Sequence, residues 1–332
     1  MKKEWLEQQR QYRSKTMPIL SFPVVQLLGI TVLDLIKSSD YQALGMKKIT
    51  ELYPTSAAVT MMDLSVEAEA FGSTIRYFDM DVPTVIGNII NDENDANNLV
   101  IPKVEGNRTA VYIEAVRKAS KMIIDRPIFS GVIGPFSLAG RLMGMTEIMI
   151  NCYLEPNMVH TVLKKVSTFI LNYILAFKKA GAKGIIIAEP AAGVLSPLLC
   201  EVFSSDYISD ICQKVKDDSF IVVYHNCGNT IPLVDSIVKI DADVYHFGNF
   251  IDLEEMIRLM PKDKIIMGNL DPVTTFKSGN IESVKEATIN LLDKCSKYEN
   301  FIISSGCDIP PSSSWDNIKM YFETVEKYFK KL

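Results

Sequence analysis

Histidine is scarce in this chain: 332 residues hold three, at 160, 225 and 246. Cysteine is sparse as well, with six residues (152, 200, 212, 227, 295 and 307) scattered rather than grouped, so a disulfide framework is not expected. No uninterrupted apolar run reaches the roughly 18 residues a membrane-spanning helix needs, and no membrane association is expected. The charged start, "MKKEWLEQQRQYRSK", lacks the apolar core of a secretory signal. Reduced thiols and a cytoplasmic location are therefore the expectation. The net charge of −5 offers no basic face for nucleic acid, which is not expected as a partner. Low-complexity stretches, Pro/Ser-rich linkers and solenoid-period repeats are also missing.

What is present is alternation. Short β-branched runs interleave with longer amphipathic stretches such as "MVHTVLKKVSTFILNYILAFKKAG" (158–181), the pattern of a parallel sheet with crossover helices. Eight strands are expected, over 19–26, 57–63, 128–134, 184–189, 220–226, 243–248, 264–269 and 301–306. The interval 72–90 reads as an irregular insertion with a hairpin. Eight such units predict an α/β fold, a (β/α)8 TIM barrel in a single domain over 1–332, with 1–17 as an N-terminal helical extension. A doubly wound open sheet is the alternative.

In a barrel, chemistry collects at the C-terminal ends of the strands. Those ends carry Gln26, Asp63, Glu189, His225, Cys227, Asn249, Asn269, Asp271 and Cys307, while the strand bodies are apolar. His225 and Cys227, in "YHNCGNT", share strand parity and face one side. A His-x-Cys at one strand end is by itself compatible with two ordinary core residues. Cys307, in the tight "SSGCDIPP" turn after the last strand, changes the balance if both strands line one barrel. One imidazole and two thiolates suit Zn2+ with an exchangeable fourth position. Glu189 is a candidate for that position. A zinc-bound thiol loses its proton, so the chemistry expected is attack on a transferable alkyl group.

The remaining cysteines (152, 200, 212 and 295) are expected to be buried small hydrophobes, and His160 to face solvent. His246, within a strand, is expected as a hydrogen-bonded interior histidine. Tyr224 and Tyr245 are expected to pack against helices. Asn249, Asn269 and Asp271 are read either as contacts to substrate or to a ligand histidine, or as loop caps. Glycines at 134, 193, 228, 248, 268 and 306 serve either simple turns or the close passage of loops past a large flat ligand. The N-terminal helix is read as a lid, a dimer contact or a solvated cap.

"YHNCGNT" and "SSGCDIPP", with "GPFSLAG" (134–140), "AEPAAG" (188–193) and "GNLDP" (268–272), resemble the uroporphyrinogen decarboxylase superfamily, in its cobalamin-dependent methyltransferase branch. The resemblance implies zinc on His225, Cys227 and Cys307, a corrinoid (methylcobalamin) as co-substrate delivered by a partner corrinoid protein, and a small-molecule methyl donor or acceptor. Asp63 stands where the decarboxylases keep their catalytic aspartate, so Asp63 and Glu189 are the candidate catalytic carboxylates. Gln26, Asn249, Asn269 and Asp271 are candidate contacts to the bound molecules. The arginine-rich substrate motif of the decarboxylases is missing: the corresponding stretch reads "FPVVQLLGITVLD". A decarboxylase using Asp63 and a non-catalytic ligand-binding barrel are the competing readings.

Overall fold

The computed structural model describes residues 1–12, 14 and 16–330; Arg13 and Lys15 of the expected extension 1–17, and Lys331 and Leu332, lie outside the described residues. Nine strands occur among them: β1 (Ala58–Val59), β2 (Thr74–Arg76), β3 (Thr84–Ile86), β4 (Ile128–Ile133), β5 (Gly184–Ala188), β6 (Ile221–Asn226), β7 (Val244–Phe247), β8 (Ile265–Leu270) and β9 (Phe301–Ser305). Seven form one sheet in the order β1-β4-β5-β6-β7-β8-β9, every pair parallel. β2 and β3 pair antiparallel, as the hairpin expected within 72–90.

The sheet is curled and its two faces read differently. Residues of one parity, among them Phe129, Ile186, Ile221, Val223, Val244, Ile265, Met267 and Ile302, pack together inside the curl. Those of the other parity, such as Val222, Tyr224, Tyr245, Ile266 and Ile303, join the larger core under the helices. That is the two-residue strand period with both faces buried. The helix Pro156–Ala180 shows how the outer layer is coded: proline sits in its first turn, and Val159, Val162, Leu163, Val166, Phe169, Ile170, Tyr173 and Phe177 make one buried stripe. Gly181, at φ 116°, ends it in a conformation a side chain would strain.

The expectation of eight strands is corrected to seven. The run 19–26 forms no ladder: Pro23 has no N–H to donate, and the helix Val24–Leu28 starts directly after it. The preceding segment nonetheless bonds to both sheet edges. Thr16 O accepts from Ser56 N–H (2.9 Å), Met17 O from the Ser304 hydroxyl (2.8 Å), and Ile19 N–H donates to Ser305 Oγ (3.0 Å). β1 is also shorter than the expected 57–63. Beyond Val59 a side chain enters the pairing, where Thr60 Oγ1 accepts from Gly131 N–H (3.0 Å).

The helix Lys2–Gln11 lies at the opposite end from the strand C-termini. Arg10 donates to Asp263 O (2.6 Å) ahead of β8, and Lys2 N–H to Asp218 O (3.3 Å) ahead of β6. Trp5 is 4% exposed, packs on Phe129 at 5.2 Å between ring centroids, and donates its indole N–H to Ser56 O (3.0 Å). The helix therefore plugs the base of the curl. The lid over the mouth is excluded for it. Among the described residues no helix is long and apolar enough to cross a membrane.

Candidate metal centre

His225 ends β6 and Cys227 follows it, whereas Cys307 follows β9, three positions further along the sheet. In a flat sheet that offset would be roughly 14 Å at about 4.8 Å per strand. Curling closes it: His225 Nε2 and Cys307 Sγ lie 3.7 Å apart, and the donor atoms of His225, Cys227 and Cys307 all fall within 4.8 Å of one another. A tetrahedral zinc with bonds of about 2.0 Å to nitrogen and about 2.3 Å to sulfur wants donor separations of roughly 3.5–3.8 Å. The nitrogen–sulfur distance already meets this, and one imidazole with two thiols is a donor set zinc takes. Gly248 makes room for the loop, since a Cβ there would stand 2.5 Å from Cys227 Cα.

The imidazole is aimed from behind. β6 and β7 place His225 and His246 in direct register, so both rings point inside the curl. His225 Nδ1 meets His246 Nδ1 at 2.8 Å, and His246 Nε2 meets Ser304 Oγ at 2.8 Å. The Ser304 hydroxyl donates to Met17 O, so its oxygen is left to accept, and His246 carries its proton on Nε2. His246 Nδ1 is then an acceptor, and His225 must hold its proton on Nδ1. The lone pair on His225 Nε2 faces the two cysteines, which is the tautomer a metal ligand needs.

Contact between the two thiols drives their pKa values apart. Cys227 is held far below the ordinary thiol range, first by the hydrogen bond from Cys307, against the burial that opposes its charge, and further by His225. Cys307 is raised correspondingly, chiefly by that same contact and then by burial. One sulfur is therefore ready to ionise before any ion arrives.

The candidate carboxylates lie elsewhere. Glu189 is fully buried and turned away from the three donors. Its oxygens accept from the N–H groups of Phe136 (3.0 Å) and Ser137 (2.6 Å), at the N-terminus of the helix Pro135–Met143. Burial raises its pKa to about 7 against those hydrogen bonds. Gly134 makes this possible, because a Cβ there would sit 2.6 Å from the Glu189 carboxylate. Asp63 accepts from Ser65 N–H (3.0 Å), the Ser65 hydroxyl (2.6 Å) and the Tyr112 hydroxyl (3.0 Å), and pairs with Arg108. Arg108 also pairs with Glu69, which takes the Tyr77 hydroxyl. Arg108, Glu69, Tyr77 and Tyr112 carry no local motif, and only folding brings them to Asp63.

The remaining candidates are loop latches. Gln26 donates to Pro311 O (2.6 Å) and Ser313 O (2.9 Å), Asn269 to Gly248 O (3.0 Å) and Ile251 O (2.9 Å), and Asn249 to Asp271 (3.0 Å). Asp271 also caps the amides of Val273 and Thr274. The partner of His225 is thus His246, and none of the asparagines. His160 is not simply solvent-facing either: it bonds Tyr207 (2.7 Å) and stacks on Phe203. The crowding at Gly193, Gly228, Gly248 and Gly306 comes from neighbouring loops of the protein itself.

The chain as a whole has known relatives. The family model for uroporphyrinogen decarboxylase (URO-D) matches residues 22–328, and the chain belongs to that family. Among curated proteins it is 27% identical over 296 residues to the uroporphyrinogen decarboxylase of Coxiella burnetii (strain Dugway 5J108-111), covering 83% of this chain and 78% of that protein. It is also 28% identical over 270 residues to the methylcobamide:CoM methyltransferase MtbA of Methanosarcina acetivorans, covering 80% and 78%. Among solved structures, a methyltransferase from Methanosarcina mazei superposes with a TM-score of 0.85 at 19% identity, over 95% of this chain and 94% of that one. At that identity the likeness is one of fold.

Proposed function

We propose that this protein is a corrinoid-dependent methyltransferase. It moves a methyl group between a corrinoid, presented by a partner corrinoid protein, and a small molecule held at zinc on His225, Cys227 and Cys307. The observation that carries the reading is the meeting of those three donors within 4.8 Å from strands three places apart. In the same proposal the segment before Val24 takes the eighth place of a (β/α)8 barrel, and 1–332 is one domain with 1–17 as its extension.

Bound zinc supplies Lewis acidity, which keeps a thiol ionised near neutral pH. The chain's own residues do the rest. The His246–Ser304 relay holds the His225 lone pair toward the mouth, and the lowered Cys227 thiol is ready to ionise. Towards a thiol acceptor, a sulfur–carbon bond forms as the carbon–cobalt bond breaks, and the bonding pair stays with the corrinoid. The carbonyl and amide latches made by Gln26, Asn249, Asn269 and Asp271 shape the rim on which the bound molecules would rest.

Decarboxylation in the manner of the URO-D relatives has less support. Asp63 is kept, yet its oxygens are taken up by Arg108, Tyr112 and Ser65, and the stretch 22–34 has no arginine for a polyanionic ring. The test is incubation of zinc-loaded protein with methylcob(III)alamin and a panel of thiols, followed by absorbance. Demethylation that needs both zinc and one particular thiol, and that is lost in Cys307→Ala, is the expected result. Failure to load zinc, or full activity of Cys307→Ala, overturns the reading.

A further inference from the structure

The six cysteines are all unpaired, yet exposure divides them into two classes. Cys152, Cys200, Cys212 and Cys295 are buried, and burial is the first cause raising the pKa of each. Thiols so placed are chemically quiet. Among the described residues, which include all six cysteines, only Cys227 and Cys307 are partly exposed thiols. These two are also neighbours, with their sulfurs within 4.8 Å of each other.

Metal binding does not exhaust what such a pair can do. A disulfide holds its sulfurs at about 2.05 Å, so closing this pair takes at most roughly 2.8 Å of relative movement. Both residues stand on turns just past strand ends, Cys227 after β6 and Cys307 after β9, rather than inside the sheet. The turns themselves are pinned: Gly228 N–H donates to Asn226 Oδ1 (2.8 Å), and Gly306 N–H to Leu270 O (2.6 Å). Gly248 leaves the Cys227 side chain its space, since a Cβ there would stand 2.6 Å from Cys227 Cβ. The sulfurs therefore approach by turning side chains on a fixed frame. Once joined, neither is a thiolate ligand, and His225 is left as the remaining donor of the three. The bond and the metal centre exclude one another.

We propose that Cys227 and Cys307 are a reversible dithiol–disulfide pair, closed by a small-molecule disulfide of the glutathione class when no ion holds them. One cysteine sulfur attacks a sulfur of the small disulfide, whose S–S bond breaks and releases one thiol. The second cysteine attacks the resulting mixed disulfide, which forms the Cys227–Cys307 bond and releases the other thiol. Two electrons pass from the protein to the small disulfide, and the two cysteine protons leave on the released thiols. Excess dithiol reverses both steps. This inference goes beyond methyl transfer, because it needs neither a corrinoid nor a methyl group.

The test uses full-length protein, chelator-treated and zinc-loaded in parallel, incubated with oxidised glutathione. Each sample is then alkylated with N-ethylmaleimide under native conditions and digested for mass spectrometry. Metal-free protein is expected to lose both alkylatable thiols and the mass of two hydrogens, with one cross-linked peptide pair joining 227 to 307. Dithiothreitol should restore both thiols. Zinc-loaded protein should keep them reduced, and oxidised protein should take up no zinc until it is reduced. Cys227→Ser and Cys307→Ser, checked for folding by circular dichroism, should each stop at a mixed disulfide with glutathione. Absence of the linkage in metal-free wild type overturns the proposal, as does a linkage through any of the four buried cysteines. So does equal oxidation with and without zinc bound. A protein that forms the linkage but never loads zinc leaves this inference standing while the methyl-transfer reading falls. Zinc-dependent demethylation in a protein that never forms the linkage does the reverse.

Discussion

His225 Nδ1 lies 2.8 Å from His246 Nδ1, so the ring that offers a lone pair to the two cysteines is oriented by a second ring directly across the β6–β7 register. The contact fixes a tautomer as well as an angle, because Ser304 and Met17 O settle which nitrogen of His246 carries its proton.

Replacing His246 by leucine removes the acceptor and leaves the His225 N–H buried without its ring partner. Zinc affinity, measured by chelator competition, should fall by about 10- to 100-fold, the range typical of lost outer hydrogen bonds to metal ligands. His246→Asn, which restores an acceptor oxygen, should recover part of it. Ser304→Ala should lose less than His246→Leu, since it frees the tautomer without removing the ring. Unchanged affinity in all three would show that the relay orients nothing.

Glu67 and Glu189 are both fully buried, and burial is the first cause raising each to about 7. In the unfolded chain both return to ordinary carboxylate values, so between about pH 4.5 and about 7 the native state binds more protons than the unfolded one. Stability should therefore fall as pH rises through that window and level off above it. Each carboxyl contributes at most about 3 kcal/mol by this linkage. Urea melts across the range should show the fall, and Glu67→Gln should reduce its slope by up to one proton. A slope unaltered by Glu67→Gln would assign the titration to other groups.

Trp5 closes the base of the curl, far from the three donors. Trp5→Ala should cost about 3–5 kcal/mol, as for other large core aromatics. Zinc stoichiometry should stay at that of the wild type under native conditions. A variant that keeps its stability, or that folds normally yet loses zinc, would contradict the assignment of this helix to the base.

Much of the frame was legible because parallel strands and their helices carry strong periodic signals. Seven of eight strands appear, as does the hairpin within 72–90. The apolar run 19–26 has the composition of a strand, but it crosses Pro23, where the backbone donor is absent. Parity alone put His225 and Cys227 on one side, and Tyr224 and Tyr245 on the other, against the helices. His246 was recognisable as an interior histidine, but its bond to Ser304 joins strands two places apart and leaves no trace in local spacing. The same holds for Arg108 with Asp63.

The donors come from both the middle and the far end of the polypeptide, and the strut behind them reaches back to Met17. During synthesis, a nascent chain that has released β6 but not β9 exposes one imidazole and one thiol with nothing to complete them. On the zinc reading proposed above, high-affinity uptake of the ion would be postponed until the last strand is laid down, and occupancy of the centre would report that β6 and β9 have met.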